Sequence, residues 1–333
     1  MTNAKIRWGV IGAGTIAHAF VNDFKLMERA SLVAVAASDP ERATAFATRY
    51  NIPLALNYEE LYLNKEIDAV YIATIHPLHF NQVLQCLKAG KAVLCEKPIT
   101  INDSQFNKLA CISKEKRVFL MEAMCTYFLP AIIKAKQWVD DGQIGEIKVI
   151  QADFAYPMNK VTQVKLFDRA LAGGSLLELG IYPIALAYYF TDREPVNISA
   201  SGQLTPFGVD ERLAVTLQYN ELTASLFSSI VTRMTNTGRI FGEKGYIEIP
   251  DFWRAYGCKL YDGEYNLVES LHDDRISHGF IYEMQHANDL IQAGEYESPI
   301  MPHSRSHSIQ KTMTEIRSQI GVEFPKEIES SFI

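Results

Sequence analysis

Cysteines are scarce in this sequence, and they follow no pattern. Only five occur among 333 residues, an odd number, and no pair is spaced as CxxC. This argues against a disulfide framework and against a structural zinc site. Reduced thiols are typical of intracellular proteins, and no apolar run before a cleavage site marks a signal peptide, so we expect a cytoplasmic protein.

Long apolar runs and basic runs are also missing. We find no stretch of about 18 apolar residues, and therefore predict no membrane-spanning helix. The net charge is −7, and clustered Lys and Arg, which nucleic-acid binding requires, are lacking. The eight histidines form no HExxH motif, and His303 and His307 lack a nearby third ligand, so no metal is expected.

What the first 122 residues do contain is an alternation of short apolar segments with helical ones. The apolar segments are Ile6–Ile11, Leu32–Ala37, Asp68–Thr74, Ala92–Cys95 and Val118–Met121. Strands that are apolar throughout belong to a parallel sheet covered on both faces by helices. The sequence therefore predicts a doubly wound Rossmann domain, class α/β, over residues 1–122.

Residues 123–333 follow a different pattern. Ile198–Leu204, Arg212–Tyr219 and Thr223–Val231 alternate apolar with polar residues, which indicates an antiparallel or mixed sheet with one open face. Helices precede and follow these segments. We predict a second, α+β domain here, to which the family resemblance described below assigns substrate binding and dimerisation.

A glycine-rich turn follows the first predicted strand. Residues 12–17 read GxGxxA, in which Gly12 permits a tight turn and Gly14 lets a pyrophosphate approach the backbone. Thr15 and Ile16 begin a helix whose N–H groups favour phosphate. The pattern predicts a dinucleotide site, with an ordinary βα turn as the alternative.

The end of the second strand bears on the choice of dinucleotide. NAD-specific folds usually place an acid there, but the expected positions are Ala37 and Ser38. Asp39 comes next and could simply cap the following helix. Because Ser38 can donate to a phosphate and Arg42 can supply charge, the sequence favours NADP(H) over NAD(H).

A lysine stands at the carboxyl end of another predicted strand, in Glu96-Lys97-Pro98. Ligands bind at that edge of a parallel sheet, so Lys97 is expected beside the nicotinamide. The alternative is a surface lysine. The sequence leaves the isomer of the Lys97–Pro98 peptide open.

Several motifs in order resemble those of the Gfo/Idh/MocA (glucose–fructose oxidoreductase/inositol dehydrogenase) family. The matching motifs are Gly12–Ala17, Ile72–Thr74 with His76-Pro77-Leu78-His79, Glu96–Pro98 and Gly173–Tyr182. Within that family the chain is most similar to the dimeric dihydrodiol dehydrogenases and NADP-dependent sugar dehydrogenases. The resemblance covers nearly the whole chain.

The resemblance implies a proton donor and acceptor at Tyr182, assisted by Lys97. A phenol has an ordinary pKa of about 10, and an ammonium within about 4–6 Å favours its ionised form. The resemblance also implies cofactor contacts at Thr74, His76, Pro77, His79, Glu96 and Lys97. The implied enzyme is an NAD(P)-dependent dehydrogenase or reductase acting on CH–OH groups.

Two departures from the family's pattern affect the expected substrate. Glu178 stands where the family usually has Asp, and Cys125 and Tyr127 stand where the dihydrodiol dehydrogenases have Trp and Arg. A sugar or polyol is therefore at least as plausible as an aromatic diol. Further substrate candidates, each of which could equally be structural, are Phe154, Asp168, Arg169 and Trp253.

Two other functions stay open at this point. A dinucleotide-binding regulatory sensor of the same fold would need neither Lys97 nor Tyr182. A glycoside hydrolase that uses NAD transiently would release product without net change in the nicotinamide. The resemblance also implies a homodimer or higher homo-oligomer, built through the open face of the second sheet.

Overall fold

The computed structural model describes residues 5–330, and their contacts divide the chain into two units. The first contains the chain up to Thr100, Ser104–Met124 and Ile276–His307. The second contains Ile101–Asp103, Cys125–Arg275 and the chain from Ser308. The sequence boundary at residue 122 differs from this division chiefly because it assigns Ile276–His307 to the second unit.

Six strands form the sheet of the first unit. They are β1 (Ile6–Ile11), β2 (Ala30–Ala36), β3 (Leu54–Leu56), β4 (Ala69–Ile72), β5 (Ala92–Glu96) and β6 (Leu120–Ala123). All pair in parallel, in the order β3-β2-β1-β4-β5-β6. The strand order reverses between β1 and β4, and ligands of such sheets bind where it reverses, beyond the carboxyl ends of the strands.

Five helices lie between these strands, and two of them begin with capping side chains. They are α1 (Thr15–Phe24), α2 (Pro40–Tyr50), α3 (Tyr58–Leu63), α4 (His76–Lys88) and α5 (Asp103–Lys116). Asp39 caps α2 and Pro40 occupies its first turn, where the missing N–H of proline does no harm. Asn57 and Glu60 form a capping box at α3.

The second unit contains an eight-stranded sheet, and two helices precede the second of its strands along the chain. The elements are α6 (Pro130–Asp140), β7 (Ile147–Ala155), α7 (Ile181–Thr191), β8 (Asn197–Leu204), β9 (Asp210–Gln218), β10 (Thr223–Ser229), β11 (Gly238–Gly242), β12 (Gly245–Ile249), β13 (Gly257–Asp262) and β14 (Leu267–His272). The order is β14-β13-β12-β11-β7-β10-β9-β8. Only β7 and β10 pair in parallel, so the sheet is mixed and mostly antiparallel. The predicted fold class is confirmed.

Three helices close the described chain: α8 (Phe280–Ala293), α9 (His303–Ile320) and α10 (Lys326–Glu329). Helix α8 belongs to the first unit, because the buried Asp23 carboxylate of α1 accepts the backbone N–H groups of His278 and Phe280, each at 3.0 Å. The indole N–H of Trp8 also donates to Asn288, at 3.2 Å.

The sequence predicts no membrane-spanning helix, and one segment, Arg169–Thr191, nevertheless has the length and apolar composition that such a helix needs. That segment is helical for most of its length and apolar enough to qualify, yet 78% of its most apolar window is buried inside the fold. Burial of this kind is what the core helix of a globular domain shows. It is weak support for a membrane span.

Candidate active site

The glycine turn after β1 has the geometry that its sequence predicts. Gly12 has a φ of +110°, and a Cβ atom there would lie 2.5 Å from the carbonyl oxygen of Ala73. Gly14 differs, because a Cβ atom there would meet no described atom within 4 Å. Ala17 is fully buried. The turn therefore needs Gly12 for its own fold and leaves open space beside Gly14.

Helix α1 starts at this turn without a side-chain cap. Gly14 is its extended N-cap residue and contributes no side chain, and the first helical residues, Thr15 and Ile16, are exposed. The first N–H groups of a helix need acceptors from outside it and carry partial positive charge. An uncapped N-terminus beside an open glycine is a suitable binding site for a phosphate.

Asp39 and Arg42, which follow β2, have different roles. The Asp39 carboxylate accepts the N–H groups of Glu41 and Arg42 at 2.8 and 3.4 Å, so it caps α2. The Arg42 guanidinium donates to the carbonyl oxygen of Ala13 at 3.3 Å, which brings it to the glycine turn. Ser38 is exposed next to them. These contacts leave a cation and a hydroxyl available to an anionic ligand.

Residues that follow β4 connect the loop after this strand to the loop after β5 by hydrogen bonds. The Thr74 hydroxyl donates to Gln82 at 2.6 Å. His79 is fully buried, with Nδ1 2.8 Å from the Pro98 carbonyl and Nε2 3.3 Å from the Thr74 carbonyl. Burial, and then the neighbouring charge of His76, lower the pKa of His79 to about 3. A neutral imidazole has one N–H, and the shorter contact assigns it to Nδ1. His79 thus joins the start of α4 to the Lys97–Pro98 turn.

Glu96 and Lys97 stand where β5 ends. The buried Glu96 carboxylate accepts the hydroxyl of Tyr71 and, at 3.3 Å, the backbone N–H of Lys97. The Lys97–Pro98 peptide is cis, which answers the question that the sequence left open. Glu96 is therefore held inside the first unit, while Lys97 is partly exposed.

One buried acid near Glu96 was missed by the sequence interpretation. Glu283, in the first turn of α8, is fully buried, and neither carboxylate oxygen has a hydrogen-bond partner among residues 5–330. Burial raises the pKa of Glu283 well above its usual range, and the charges of Glu96 and Asp23 add to the effect. Nothing in the local sequence distinguishes it from a surface glutamate of an amphipathic helix.

In the second unit, Tyr182 lies within a group of aromatic rings. The ring of Phe154 meets it edge to face, with centroids 5.2 Å apart at 88°, and that of Trp253 lies 6.3 Å away. Phe154 and Trp253 stack on each other at 5.0 Å. The buried indole N–H of Trp253 has no acceptor among the described residues. Two of the four further substrate candidates therefore lie beside Tyr182.

The other two candidates lie in a separate short segment. Asp168 accepts the N–H of Ala170 at 2.8 Å and so caps a single 3-10 turn, and Arg169 is exposed. Glu178, on the same helical run as Tyr182, pairs with Lys165 at 3.9 Å. These contacts give Asp168 a local structural role and Glu178 a neighbouring cation.

The structure also accounts for the segment in which this chain departs from the family's pattern. Tyr127 is fully buried and its hydroxyl donates to the carbonyl of Ala185 at 2.6 Å, so it is a core residue. Thr126 donates to the carbonyl of Trp253 at 2.9 Å. This segment therefore contributes to the aromatic group indirectly, by holding the backbone of Trp253.

No group of three His, Cys, Asp or Glu side chains within residues 5–330 is arranged to hold a metal ion. The side chains available for chemistry are instead an ammonium, a phenol and several carboxylates. Such groups can bind anions and exchange protons with a hydroxyl.

Two domain models of one protein family match the chain. One, described as an oxidoreductase family with an NAD-binding Rossmann fold (GFO_IDH_MocA), matches residues 6–124. The other, described as the GFO/IDH/MocA C-terminal domain, matches residues 132–248. Together they account for most of the first unit and the centre of the second.

Among known proteins, the chain is similar to trans-1,2-dihydrobenzene-1,2-diol dehydrogenase of Mus musculus, at 34% identity over 97% of this chain and 99% of that protein. The human enzyme of the same name is also 34% identical, with the same coverage. Over essentially its full length, then, the chain is related to named dehydrogenases.

Solved structures give a similar result. An aldose-aldose oxidoreductase from Caulobacter crescentus, complexed with glycerol, is 25% identical with a TM-score of 0.86, over 95% of this chain and 97% of that one. A levoglucosan dehydrogenase, complexed with NADH and levoglucosan, has a TM-score of 0.87 at 19% identity, over 97% and 98% of the two chains. At that identity the second likeness shows the fold alone.

Proposed function

The chain belongs to the Gfo/Idh/MocA family of oxidoreductases, and we propose that it transfers a hydride between a nicotinamide dinucleotide and a carbinol or carbonyl carbon of a sugar, polyol or cyclic diol. The observation that carries the proposal is the uncapped N-terminus of α1, with open space beside Gly14, where the strand order of the first sheet reverses. A dinucleotide pyrophosphate has the charge and size for this position.

The reactive groups are proposed to be Lys97 and Tyr182. The nicotinamide supplies or accepts the hydride when it is bound. Tyr182 gives the substrate oxygen its proton during reduction and takes it during oxidation. The ammonium of Lys97 favours the phenolate and so makes the phenol an effective base at neutral pH. Lys97 is supported by its place at the end of β5.

The proposed substrate class is supported by the surroundings of Tyr182. The stacked rings of Phe154 and Trp253 present apolar surface, and the indole N–H of Trp253 is a donor without an acceptor among the described residues. Cyclic sugars and diols combine an apolar ring face with hydroxyl oxygens, so they suit such a mixture. The relatives named as dehydrogenases of a cyclic diol, and the aldose-aldose oxidoreductase, agree with this class.

NADP(H) is proposed as the preferred dinucleotide. Asp39 directs its Oδ1 atom to the backbone N–H groups of Glu41 and Arg42, so its position at the start of α2 is accounted for by capping. Arg42 at the glycine turn and the exposed Ser38 suit a 2′-phosphate instead.

A homodimer or higher homo-oligomer is also proposed, built through the open face of the second sheet. That face has a groove of about 430 Å³ over β8, β9 and β10. Phe227 and Met234, which line the groove, are 43% and 38% exposed. Apolar surface of this kind is typical of subunit interfaces. Sedimentation that finds only monomers at micromolar concentration would reject this assembly.

The test of the function combines cofactor titration with a substrate screen. NADPH and NADH are titrated by fluorescence, and aldoses, inositols and cyclic diols are then screened by nicotinamide absorbance. Lys97→Met and Tyr182→Phe are expected to lower kcat by about 10²–10⁴-fold. Both variants should still bind the dinucleotide, and Tyr182→Phe should bind it with unchanged affinity. Tyr188→Phe is the matched control, because this hydroxyl lies on the same helix but bonds to Thr312 at 2.9 Å.

Three results would contradict the proposal. Turnover retained in both Lys97→Met and Tyr182→Phe would reject proton transfer by Tyr182 with assistance from Lys97. Dinucleotide binding without turnover of any screened substrate would favour a sensor, and product released without net change in absorbance would favour a hydrolase that recycles its nicotinamide.

A further inference from the structure

The helical run that carries Glu178 and Tyr182 starts in an unusual way. One π-helical turn, Leu176–Gly180, precedes α7, and Tyr182 is the second residue of α7. Isolated π turns often occur at functional sites. A π turn places its side chains differently from an α turn, so the anchoring of this turn decides where Glu178 and the Tyr182 phenol lie.

Ser175 stands where an N-cap would be expected, yet it does not cap the run. Its backbone is already helical, with φ −68° and ψ −39°, and it makes no side-chain cap bond. Its hydroxyl donates instead to the hydroxyl of Ser228 on β10, at 2.7 Å. The first N–H groups of the run must therefore find an acceptor elsewhere.

That acceptor comes from β9. The Asp210 carboxylate, only 1% exposed, accepts the N–H of Leu176 at 2.6 Å, and the N–H of Ser175 also bonds to it. Burial raises the pKa of Asp210 to about 7, although these backbone donors and the charge of Arg317 on α9 oppose the rise. A carboxylate 34 residues further along the chain thus caps the run.

The preceding glycines make room for this carboxylate. Gly174 has a φ of +119°, and a Cβ atom there would lie 2.2 Å from Oδ1 of Asp210. At the other end of the π turn, a Cβ atom on Gly180 would lie 3.0 Å from the Ser228 hydroxyl oxygen. Both ends of the turn are therefore fixed to neighbouring strands, one by Asp210 and the other by close contact with Ser228.

We propose that Asp210 is a positioning residue for Glu178 and Tyr182, which it holds in reacting position by anchoring the π turn to β9. The proposal rests on the proposed function of Tyr182. Asp210 does not contact the reacting atoms itself; it acts through the backbone N–H groups of Ser175 and Leu176. A displacement of about 1 Å in a reacting group can cost about 100-fold in rate.

The experiment compares Asp210→Ala, Asp210→Asn and a matched control, Asp23→Ala. Asp23 is also a buried acid that accepts two backbone N–H groups, but it caps α8. We expect Asp210→Ala to lower kcat by about 10- to 100-fold with NADPH affinity unchanged. Asp210→Asn keeps one acceptor oxygen for Leu176 and should restore part of that loss. Asp23→Ala should lower Tm comparably while keeping kcat within about twofold.

Amide hydrogen exchange of residues 173–182 is measured on the same variants. Faster exchange of this segment in both Asp210 variants, and not in Asp23→Ala, is expected. A lowered Tm with wild-type kcat in Asp210→Ala would reduce Asp210 to a structural role and overturn the proposal. If Asp210→Ala does not fold, wild-type kcat and exchange in Asp210→Asn would overturn it equally.

Failure of the proposed function would be distinguishable. It would appear as absence of turnover in the wild-type protein with every screened substrate. The exchange measurement would still decide whether Asp210 anchors the turn, because it requires no activity. Unchanged exchange in Asp210→Asn would then reject the anchoring.

Discussion

Each unit has a glycine-rich turn that leads into a helix, and the two turns leave the helix N-terminus in different states. At the first turn, Gly14 faces open space and no side chain caps α1. At the second, the carboxylate of Asp210 occupies the corresponding position and bonds to the N–H of Leu176. The N-terminus of α1 can bind an anion from outside the chain. The N-terminus of the run that leads into α7 already binds the Asp210 carboxylate.

The difference shows what a glycine-rich turn means and what it leaves undecided. Glycine lets an acceptor approach the backbone closely in both turns. Whether that acceptor is a ligand or a side chain depends on a residue far away in sequence. The turn proposed to bind a ligand thus has no side chain capping the helix that follows it, whereas the structural turn has a buried acid in that position.

The largest effect is expected from Gly174→Ala. The new Cβ atom would lie 2.2 Å from the Asp210 carboxylate, in a backbone conformation of φ +119° that alanine rarely adopts. Backbone strain and overpacking together should cost about 2–6 kcal/mol of unfolding free energy. Denaturant unfolding measures this. Stability within about 0.5 kcal/mol of wild type would mean that the second turn is not filled by Asp210 as described.

Gly14→Ala should have the opposite effect: it should change dinucleotide affinity strongly and stability little. Gly14 is extended, with φ −94° and ψ −178°, and its Cβ direction is open. Stability should therefore stay within about 1 kcal/mol of wild type, because the lower entropy of the unfolded alanine chain opposes the N-cap preference for glycine. The methyl group would occupy the space proposed for the pyrophosphate, and dinucleotide affinity should fall by about 100-fold, equivalent to about 2.7 kcal/mol. Calorimetric titration with NADPH checks this, and unchanged affinity would contradict a dinucleotide at this turn.

The first unit could be predicted from sequence more fully than the second, for a physical reason. Continuous apolar runs such as Ala69–Ile72 can only be buried strands or buried helices, and Gly12 and Gly14 act on their immediate neighbours. By contrast, β14 is exposed along nearly its whole length and has no apolar pattern to reveal it. Short strands that depend on their neighbours, β3, β11 and β13, were missed as well.

The residues of the candidate site also differ in how far the sequence could predict them. Motifs that act locally identified the glycine turn and the strand end at Lys97, while the family resemblance was needed to single out Tyr182. The caps and acids that act over long range were not predictable: Asp210 is 34 residues from Leu176, and Asp23 is 257 residues from Phe280. Such pairs are created by tertiary packing, which composition and periodicity do not describe.

Arg42→Ala tests whether the site at the N-terminus of α1 selects NADPH over NADH. Arg42 donates to the Ala13 carbonyl in the first turn, and its charge is the feature proposed to bind a 2′-phosphate. Its removal should weaken NADPH binding by about tenfold, or about 1.4 kcal/mol, with little change for NADH. Arg49→Ala on the same helix is the control. Equal losses for both dinucleotides would assign Arg42 to the turn's structure and not to the phosphate.

The smallest effect concerns pH, and it should appear only at the filled turn. Burial raises the pKa of Asp210 from 3.8 to about 7. Between these values the folded protein keeps a proton that the unfolded chain has released, so wild-type stability falls as the pH rises through this range and levels off above it. Asp210→Asn cannot titrate there. The Tm of the variant relative to wild type should therefore increase by about 2–4 °C between about pH 5 and about pH 8. Gly14→Ala, at a turn with no buried acid, should keep a constant Tm difference from wild type over the same range; a parallel drift in both variants would place the titrating group outside the second turn.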